Sequence, residues 1–318
     1  HFMPLQFLKM PKYSFKYVVN CDMCGEDISN HKRLGQRLNQ SQGLNPKNKI
    51  GISVSVNKCN NCGLIYSTPQ PIPFNIQDHY GIPSEDYWTS EYFELDSMYF
   101  LKQIKTVKKL LSFDNGMTAL DIGCGIGKCI IQLEKNGFIA YGVEPSKTFY
   151  QKAISVMNIK KDKIQFCPIE DVNFSNEKFD FITYGAVFEH LYNPSTSLKR
   201  ALSWLKPNGI IQIEVPSSKN LNSKLINIYY KLRCSNYVTN LSPMHSPFHL
   251  FEFDIRSFKI LGSRLGFEVV EFSYEAGTVH YIPRVFHSIF RRFMSITNTE
   301  NQLTVYLKKV ENPAVNLF

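Results

Sequence analysis

The run Ala119-Leu120-Asp121-Ile122-Gly123-Cys124-Gly125-Ile126-Gly127 constrains this chain more than any other stretch of it. An apolar strand that ends on an acid and breaks into alternate glycines before a helix brings backbone close to a ligand, because glycine tolerates the turns such a loop needs. The dinucleotide fingerprint spaces its glycines GxGxxG, so that a helix N-terminus meets a pyrophosphate. Here the third glycine arrives one residue early, giving GxGxG, and Asp121 stands directly before the loop, where it repels phosphate and suits a cation. The next apolar segment, Ala140-Tyr141-Gly142-Val143, ends at Glu144. A carboxylate at that strand tip can accept hydrogen bonds from both hydroxyls of a ribose in the crevice beside the first strand. The other reading of Glu144 is a helix-start acid next to an N-cap serine, Ser146.

Beyond about residue 95, helical and apolar strand segments alternate, as βαβ architecture requires. Strands are expected at Met117–Ile122, Ile139–Val143, Ile164–Phe166, Phe179–Tyr184, Gly209–Val215, Phe267–Phe272 and Leu303–Leu307. Seven strands at this spacing suit an α/β, Rossmann-like doubly wound sheet. The stretch from Ser217 to about Phe253 breaks the rhythm and reads as an insertion covering the strand ends. With 318 residues and 43% hydrophobic content, one large core and a smaller appended unit are expected. The expected division is 1–75, an aromatic connector over 76–112, and a catalytic domain over 113–318 with its insertion at about 217–253.

Residues 115–215 resemble a class I S-adenosylmethionine-dependent methyltransferase domain. The likeness is carried by Asp121-x-Gly123-x-Gly125-x-Gly127, Glu144, Lys178-Phe179-Asp180-Phe181, Phe188-Glu189-His190-Leu191 and Leu205-Lys206-Pro207-Asn208-Gly209, in that order. It implies a seven-stranded sheet and S-adenosylmethionine as cofactor, with Asp121, Gly123, Gly125 and Gly127 at its ammonium and sulfonium end and Glu144 at the ribose. The adenine loop of the family maps to Pro168-Ile169-Glu170-Asp171, where Pro168 replaces a common aspartate and leaves the Ile169 backbone or Glu170 for that contact.

The segment up to about residue 75 reads as irregular, polar and too poor in apolar periodicity to fold by burial alone. It contains Cys21-Asp22-Met23-Cys24-Gly25 and Cys59-Asn60-Asn61-Cys62-Gly63. Two CxxCG turns can present four thiolates to one tetrahedral zinc ion, a closed shell that makes the metal structural. A redox CxxC belongs at a helix start near a βαβ unit, which neither pair does. Zinc binding worth roughly 10–16 kcal/mol in small peptides would supply the missing stability. Cys129, Cys167 and Cys234 lack partner spacing and are expected as small buried hydrophobes. The arrangement of Cys62-Gly63-Leu64-Ile65-Tyr66, Pro69-x-Pro71 and a tyrosine-rich connector resembles methyltransferases with an N-terminal zinc-ribbon-like domain. Some of these act on nucleotide-linked sugars or surface-polysaccharide precursors. The long C-terminal extension of the sugar C-methyltransferase group has no counterpart here, and a hydroxyl acceptor is the expectation.

A sugar hydroxyl needs a base near neutral pKa. His190, just past the fourth core strand, is the first candidate; the alternative is a structural histidine capping the Asn193-Pro194 turn. His245 and His249 lie in the insertion and read as substrate contacts or bases, in preference to a second metal site, for which no further ligands stand near in sequence. Tyr80, Tyr87 and Tyr92 either close the cofactor pocket or pack the domains together. The formal charge of +9 favours an anionic partner: a nucleotide-sugar first, RNA as the alternative, although no dense Lys/Arg block is present. Arg284, Arg291 and Arg292, interleaved with Phe286, Ile289, Phe290 and Phe293, are expected on a core-facing helix with a solvated basic side; the alternative is an amphipathic surface helix. No apolar run approaches membrane-spanning length and the N-terminus lacks a signal-peptide layout, so a soluble cytoplasmic protein is expected.

Overall fold

The computed structural model describes residues 12–38, 52–80, 94–241, 248–277, 279 and 282–310. Its N-terminal part contains β1 (Tyr13–Lys16), β2 (His31–Leu38), β3 (Ser53–Cys59), β4 (Ile65–Thr68), β5 (Gln70–Pro73) and the single-turn helix α1 (Gln77–Tyr80). The rest runs α2 (Leu101–Leu111), β6 (Thr118–Ile122), α3 (Lys128–Lys135), β7 (Ile139–Val143), α4 (Lys147–Ser155), β8 (Ile164–Gln165), β9 (Phe179–Gly185), α5 (Pro194–Trp204) and β10 (Leu205–Pro216). It ends with α6 (Leu221–Leu232), β11 (Phe251–Glu252), α7 (Ile255–Leu265), β12 (Phe267–Glu275), α8 (His287–Thr297) and β13 (Gln302–Lys309).

The large sheet has seven strands in the order β12-β13-β10-β9-β6-β7-β8. Strands β6 to β10 run parallel to one another, and β13 lies antiparallel between β10 and β12. All seven expected strands are present, with ends shifted where pairing outruns the apolar run, as at β10, which begins at Leu205. Chain order reverses between β6 and β9, and this switch opens a crevice at the carboxyl ends of the strands. The inward residues Leu120, Ile122, Phe179, Phe181, Ile182, Tyr184, Ile211 and Ile213 are all but fully buried, which is why these strands read as continuous apolar runs.

The N-terminal segment is β-rich, which corrects the expectation of an irregular, core-poor unit. Strands β2, β3 and β4 form an antiparallel sheet whose fourth member is β11, from the distant stretch after 217. Alternation in Ser53–Cys59 turns Val54 and Val56 inward. Met23, Leu64 and Tyr66 then share one apolar core with Ile182, Phe188, Phe253 and Phe258 of the large domain. The segment therefore buries its apolar residues against the larger domain, through pairings that sequence spacing alone does not reveal.

Helix α8 also differs from the preferred expectation. Only Met294 is buried, while Ile289, Phe293 and Ile296 are 71%, 53% and 73% exposed, so the apolar stripe faces outward. Of the scattered cysteines, Cys129 is buried, Cys167 is half-buried and Cys234 is exposed at a positive φ of 54° just past α6. Among the described residues no helix is long and apolar enough to cross a membrane.

Candidate active site

Strand β6 delivers the buried Asp121 to the crevice, and the chain turns at Gly123, Gly125 and Gly127 with φ of 70°, 56° and 84°. Side chains rarely adopt such φ values, and a Cβ on Gly123 would lie 2.4 Å from a Val187 methyl carbon. The Gly123 and Cys124 amides both donate to the Val143 carbonyl, at 2.8 and 3.0 Å, which ties the loop to the end of β7. Glu144 follows that strand end. Its carboxylate accepts from the Gly125 amide and from the Ser146 amide, both at 2.7 Å. Ser146 in turn caps α4 by accepting from the Phe149 amide. The helix-start reading of Glu144 is met in this geometry: it joins the glycine loop to a helix start, while its two oxygens retain further acceptor capacity.

Burial pushes the Asp121 carboxyl up to about 8, with the Glu144 charge adding to the shift. Burial likewise pushes Glu144 up to about 7, against its two amide donors. Two desolvated acids facing one crevice are poised to favour a cationic, hydroxyl-bearing ligand over an anionic one. Residues Ile169–Asp171 form a short 3-10 turn with Ile169 buried and Glu170 exposed. The Arg200 guanidinium clamps this turn, donating to the carbonyls of Ile169 (3.1 Å), Glu170 (2.6 Å) and Val172. Arg200 is not marked by any sequence motif; its position on α5 facing the turn is a tertiary fact.

Helix α1 is tied to the segment that follows Glu144. The Gln77 side chain donates to the Pro145 carbonyl at 2.8 Å and accepts from the Lys147 amide at 3.1 Å. Tyr80 then lies within electrostatic reach of Tyr192, Glu170, Glu144 and Glu189, and burial raises its phenol well above the usual value. This places Tyr80 near Glu144 at the β7 strand tip. Tyr87 and Tyr92 lie outside the described residues.

At the carboxyl end of β9 a 3-10 turn carries Phe188, Glu189 and His190, all buried. His190 Nδ1 lies 3.1 Å from the Phe248 carbonyl. A carbonyl only accepts, so Nδ1 carries a proton and Nε2 is the ring's other nitrogen, the one a neutral ring would use as an acceptor. The His249 ring packs edge-on against His190 with centroids 4.7 Å apart, and its Nε2 is 3.9 Å from Glu189 Oε1. Glu189 is 2% exposed, and its Oε2 has no hydrogen-bond partner among the described residues. Burial and the nearby Glu214 push the Glu189 carboxyl up to about 8. The sequence motif containing Glu189 marks the fold; that it meets His249 follows only from the Leu250 amide donating to the Glu189 carbonyl at 2.9 Å. His245 lies outside the described residues.

Cys21, Cys24, Cys59 and Cys62 converge so that their sulfurs all lie within 4.8 Å of one another. The Cys21–Cys62 and Cys24–Cys59 sulfur separations are 3.4 and 3.5 Å, near the roughly 3.8 Å edge of a tetrahedron with zinc–sulfur bonds of about 2.3 Å. Gly25 and Gly63, each at φ 81°, form matching knuckle turns. Burial and the neighbouring sulfurs hold the Cys24 thiol up, so the four sulfurs cannot all be thiolates without a cation between them. The cluster is bolted to the catalytic domain. Asp22 accepts from the Ser195 amide and hydroxyl at 2.7 and 2.9 Å at the start of α5, and Arg264 donates to the Met23 carbonyl at 2.9 Å.

The family profile described as methyltransferase domain matches residues 97–272, from α2 through the glycine loop and the Glu189 turn into β12. The chain belongs to the methyltransferase domain family. Among curated relatives, this methyltransferase chain is 33% identical over 115 residues to the ubiquinone biosynthesis O-methyltransferase of Bradyrhizobium diazoefficiens, covering 34% of this chain and 42% of that protein. It is 31% identical over 130 residues to the protein of the same name from Coxiella burnetii, covering 40% of this chain and 53% of that one. The chain thus spans about half the length of the curated relatives it matches. Among solved structures, the phosphoethanolamine N-methyltransferase 2 of Haemonchus contortus, in complex with phosphomonomethylethanolamine and S-adenosylhomocysteine, has the same fold at a TM-score of 0.50. It is 16% identical and covers 78% of this chain and 62% of that chain.

Proposed function

We propose that this protein transfers a methyl group from S-adenosylmethionine to a hydroxyl oxygen of a polar small molecule, a sugar or nucleotide-sugar in glycan biosynthesis. The observation that carries the reading is the joined cradle of Asp121, the three left-handed glycines and Glu144 at the sheet's switch point. The fit to the cofactor is chemical. A buried acid suits an ammonium and sulfonium pair, a strand-tip carboxylate suits a ribose diol, and the Ile169–Glu170 turn held by Arg200 suits an adenine edge. Bound there, S-adenosylmethionine supplies a methyl group on a positively charged sulfur.

The remaining work falls to the chain's own residues. Tyr80 and helix α1 shut the crevice from water, and the reacting hydroxyl meets the Glu189–His190–His249 cluster. In its simplest form the hydroxyl proton passes to His190 Nε2, since Nδ1 is engaged by the Phe248 carbonyl. An oxygen acceptor is also supported by the relatives, whose names describe O-methyltransferases. The sugar class is supported by the zinc-ribbon resemblance and by a net charge of +9, which suits a diphosphate handle. We further propose structural zinc in the four-cysteine cluster and, since free thiols persist in the reducing cytosol, a cytoplasmic site of action.

Calorimetry with S-adenosylmethionine and with NAD tests the cofactor, and preferential binding of NAD overturns it. Labelled-methyl transfer across pooled nucleotide-sugars, glycans, phenols and RNA tests the acceptor. Label appearing only in RNA would overturn the small-molecule reading and leave the cofactor assignment standing.

A further inference from the structure

The Glu189 turn holds more than a base requires. A single histidine held in one tautomer suffices to take a proton, yet three ligand-type side chains converge from two distant segments. Their donor atoms, a Glu189 oxygen and one nitrogen each from His190 and His249, all lie within 4.8 Å of one another. The expectation that no further ligands stand near the insertion histidines is corrected here for His249, because the fold brings Glu189 and His190 to it.

From this juxtaposition we infer that Glu189, His190 and His249 form a second metal site, one that takes a divalent transition cation and turns its open positions toward the acceptor. Three observations carry this. The 3.9 Å between His249 Nε2 and Glu189 Oε1 is too long for a hydrogen-bonded ion pair. It is nearer the roughly 3–3.5 Å that separates two donors about 2.1 Å from one ion. The buried Glu189 Oε2 has no hydrogen-bond partner among the described residues, although Glu189 is 2% exposed. The bond from His190 Nδ1 to the Phe248 carbonyl is the outer-shell contact that fixes a metal-binding histidine with Nε2 as donor.

Two imidazoles and one carboxylate are the donor set of zinc, iron(II), cobalt and manganese sites with open positions, unlike the closed four-sulfur set of the cysteine cluster. His249 is the site's least buried flank, with a side chain 11% exposed. A cation there accepts oxygen ligands, so the acceptor class is a molecule with two adjacent oxygens, such as a vicinal diol. This inference rests on the proposed methyl transfer for its acceptor and on the donor geometry alone for its metal; with a cation bound, His190 Nε2 is a ligand and no longer the proton acceptor of the simplest form.

The test uses the full chain with zinc in its cysteine cluster, titrated with cobalt(II). Wild type takes up one further equivalent, with ligand-field bands that lack sulfur-to-cobalt charge transfer. E189Q and H249Q weaken that uptake by at least about tenfold, with zinc content and S-adenosylmethionine affinity unchanged as evidence of folding. Uptake of cobalt with thiolate character only, or equal uptake by both variants, overturns the metal site. Labelled-methyl transfer is run in parallel with the second metal stripped. Undiminished transfer also overturns it and returns the histidines to proton transfer, whereas failure of the methyl-transfer reading appears separately, as absence of S-adenosylmethionine binding.

Discussion

At the scale of single residues, the two buried acids of the crevice set a pH dependence whose sign can be worked out. Asp121 and Glu144 are raised to about 8 and about 7, above the roughly 4 of an unfolded carboxyl. The folded protein without ligand therefore holds protons that the unfolded chain releases. The stability this supplies is fully present below about pH 4 and is lost as pH rises through the folded values. A cationic ligand beside Asp121 favours the ionised acids, so S-adenosylmethionine affinity is expected to rise between about pH 6 and pH 8 with release of protons. Calorimetry in buffers of different ionisation heat measures that release, and affinity that is flat or falls across the range contradicts it. At Gly125, whose φ is 56° and whose amide donates to Glu144, replacement by arginine is expected to abolish cofactor binding by filling the cradle. H190N is expected to cut turnover about 10²–10⁴-fold while leaving cofactor affinity unchanged. A parallel loss of cofactor binding would make His190 structural.

At the scale of elements, the decisive contact is the pairing of β11 with β4. Phe251 and Glu252 lie opposite Tyr66 and Ile65, and the Ser67 amide donates to the Leu250 carbonyl at 3.0 Å. Strand β4 begins three residues after Cys62, so the cysteine cluster positions β4 and, through their pairing, β11, which starts two residues after His249. Removing zinc, or replacing Cys59 by serine, is accordingly expected to loosen the acceptor side of the site before the cofactor side. Hydrogen exchange should show loss of protection at 248–252 with protection retained at β6 and β7. Uniform loss along the chain would remove this coupling. Helix α8 shows the opposite outcome of similar patterning: its apolar residues repeat at helical spacing, yet the helix buries only Met294.

For the whole molecule, the relevant quantity is the shared core. Met23, Leu64 and Tyr66 from the cysteine unit pack in one cluster with Phe188, Phe253 and Phe258 of the catalytic domain. Side chains of this size lose roughly 3–5 kcal/mol when truncated in a core, a large fraction of the usual 5–15 kcal/mol of a folded domain. The two parts are therefore expected to unfold in one transition, and chelation of zinc is expected to lower the melting temperature of the entire chain. Two separated transitions, followed by circular dichroism and by emission from the two tryptophans, Trp88 and Trp204, would identify independent units.

Local pattern alone carried the architecture of the large sheet. Strand β6 with its acid and glycines, Glu144 one βα unit later, and the seven apolar runs are each encoded within a short window, because burial on both sheet faces leaves few polar positions. The two CxxCG turns were equally legible, since their ligand spacing is itself local. The N-terminal sheet was not, because its fourth strand comes from residues 251–252 and its core from Phe188, Phe253 and Phe258. The Arg200 clamp, the place of Tyr80 among three carboxylates and the meeting of Glu189, His190 and His249 were likewise decided by tertiary structure. Each depends on contacts between segments far apart in the chain, and periodicity within a segment carries no information about which other segment will cover it.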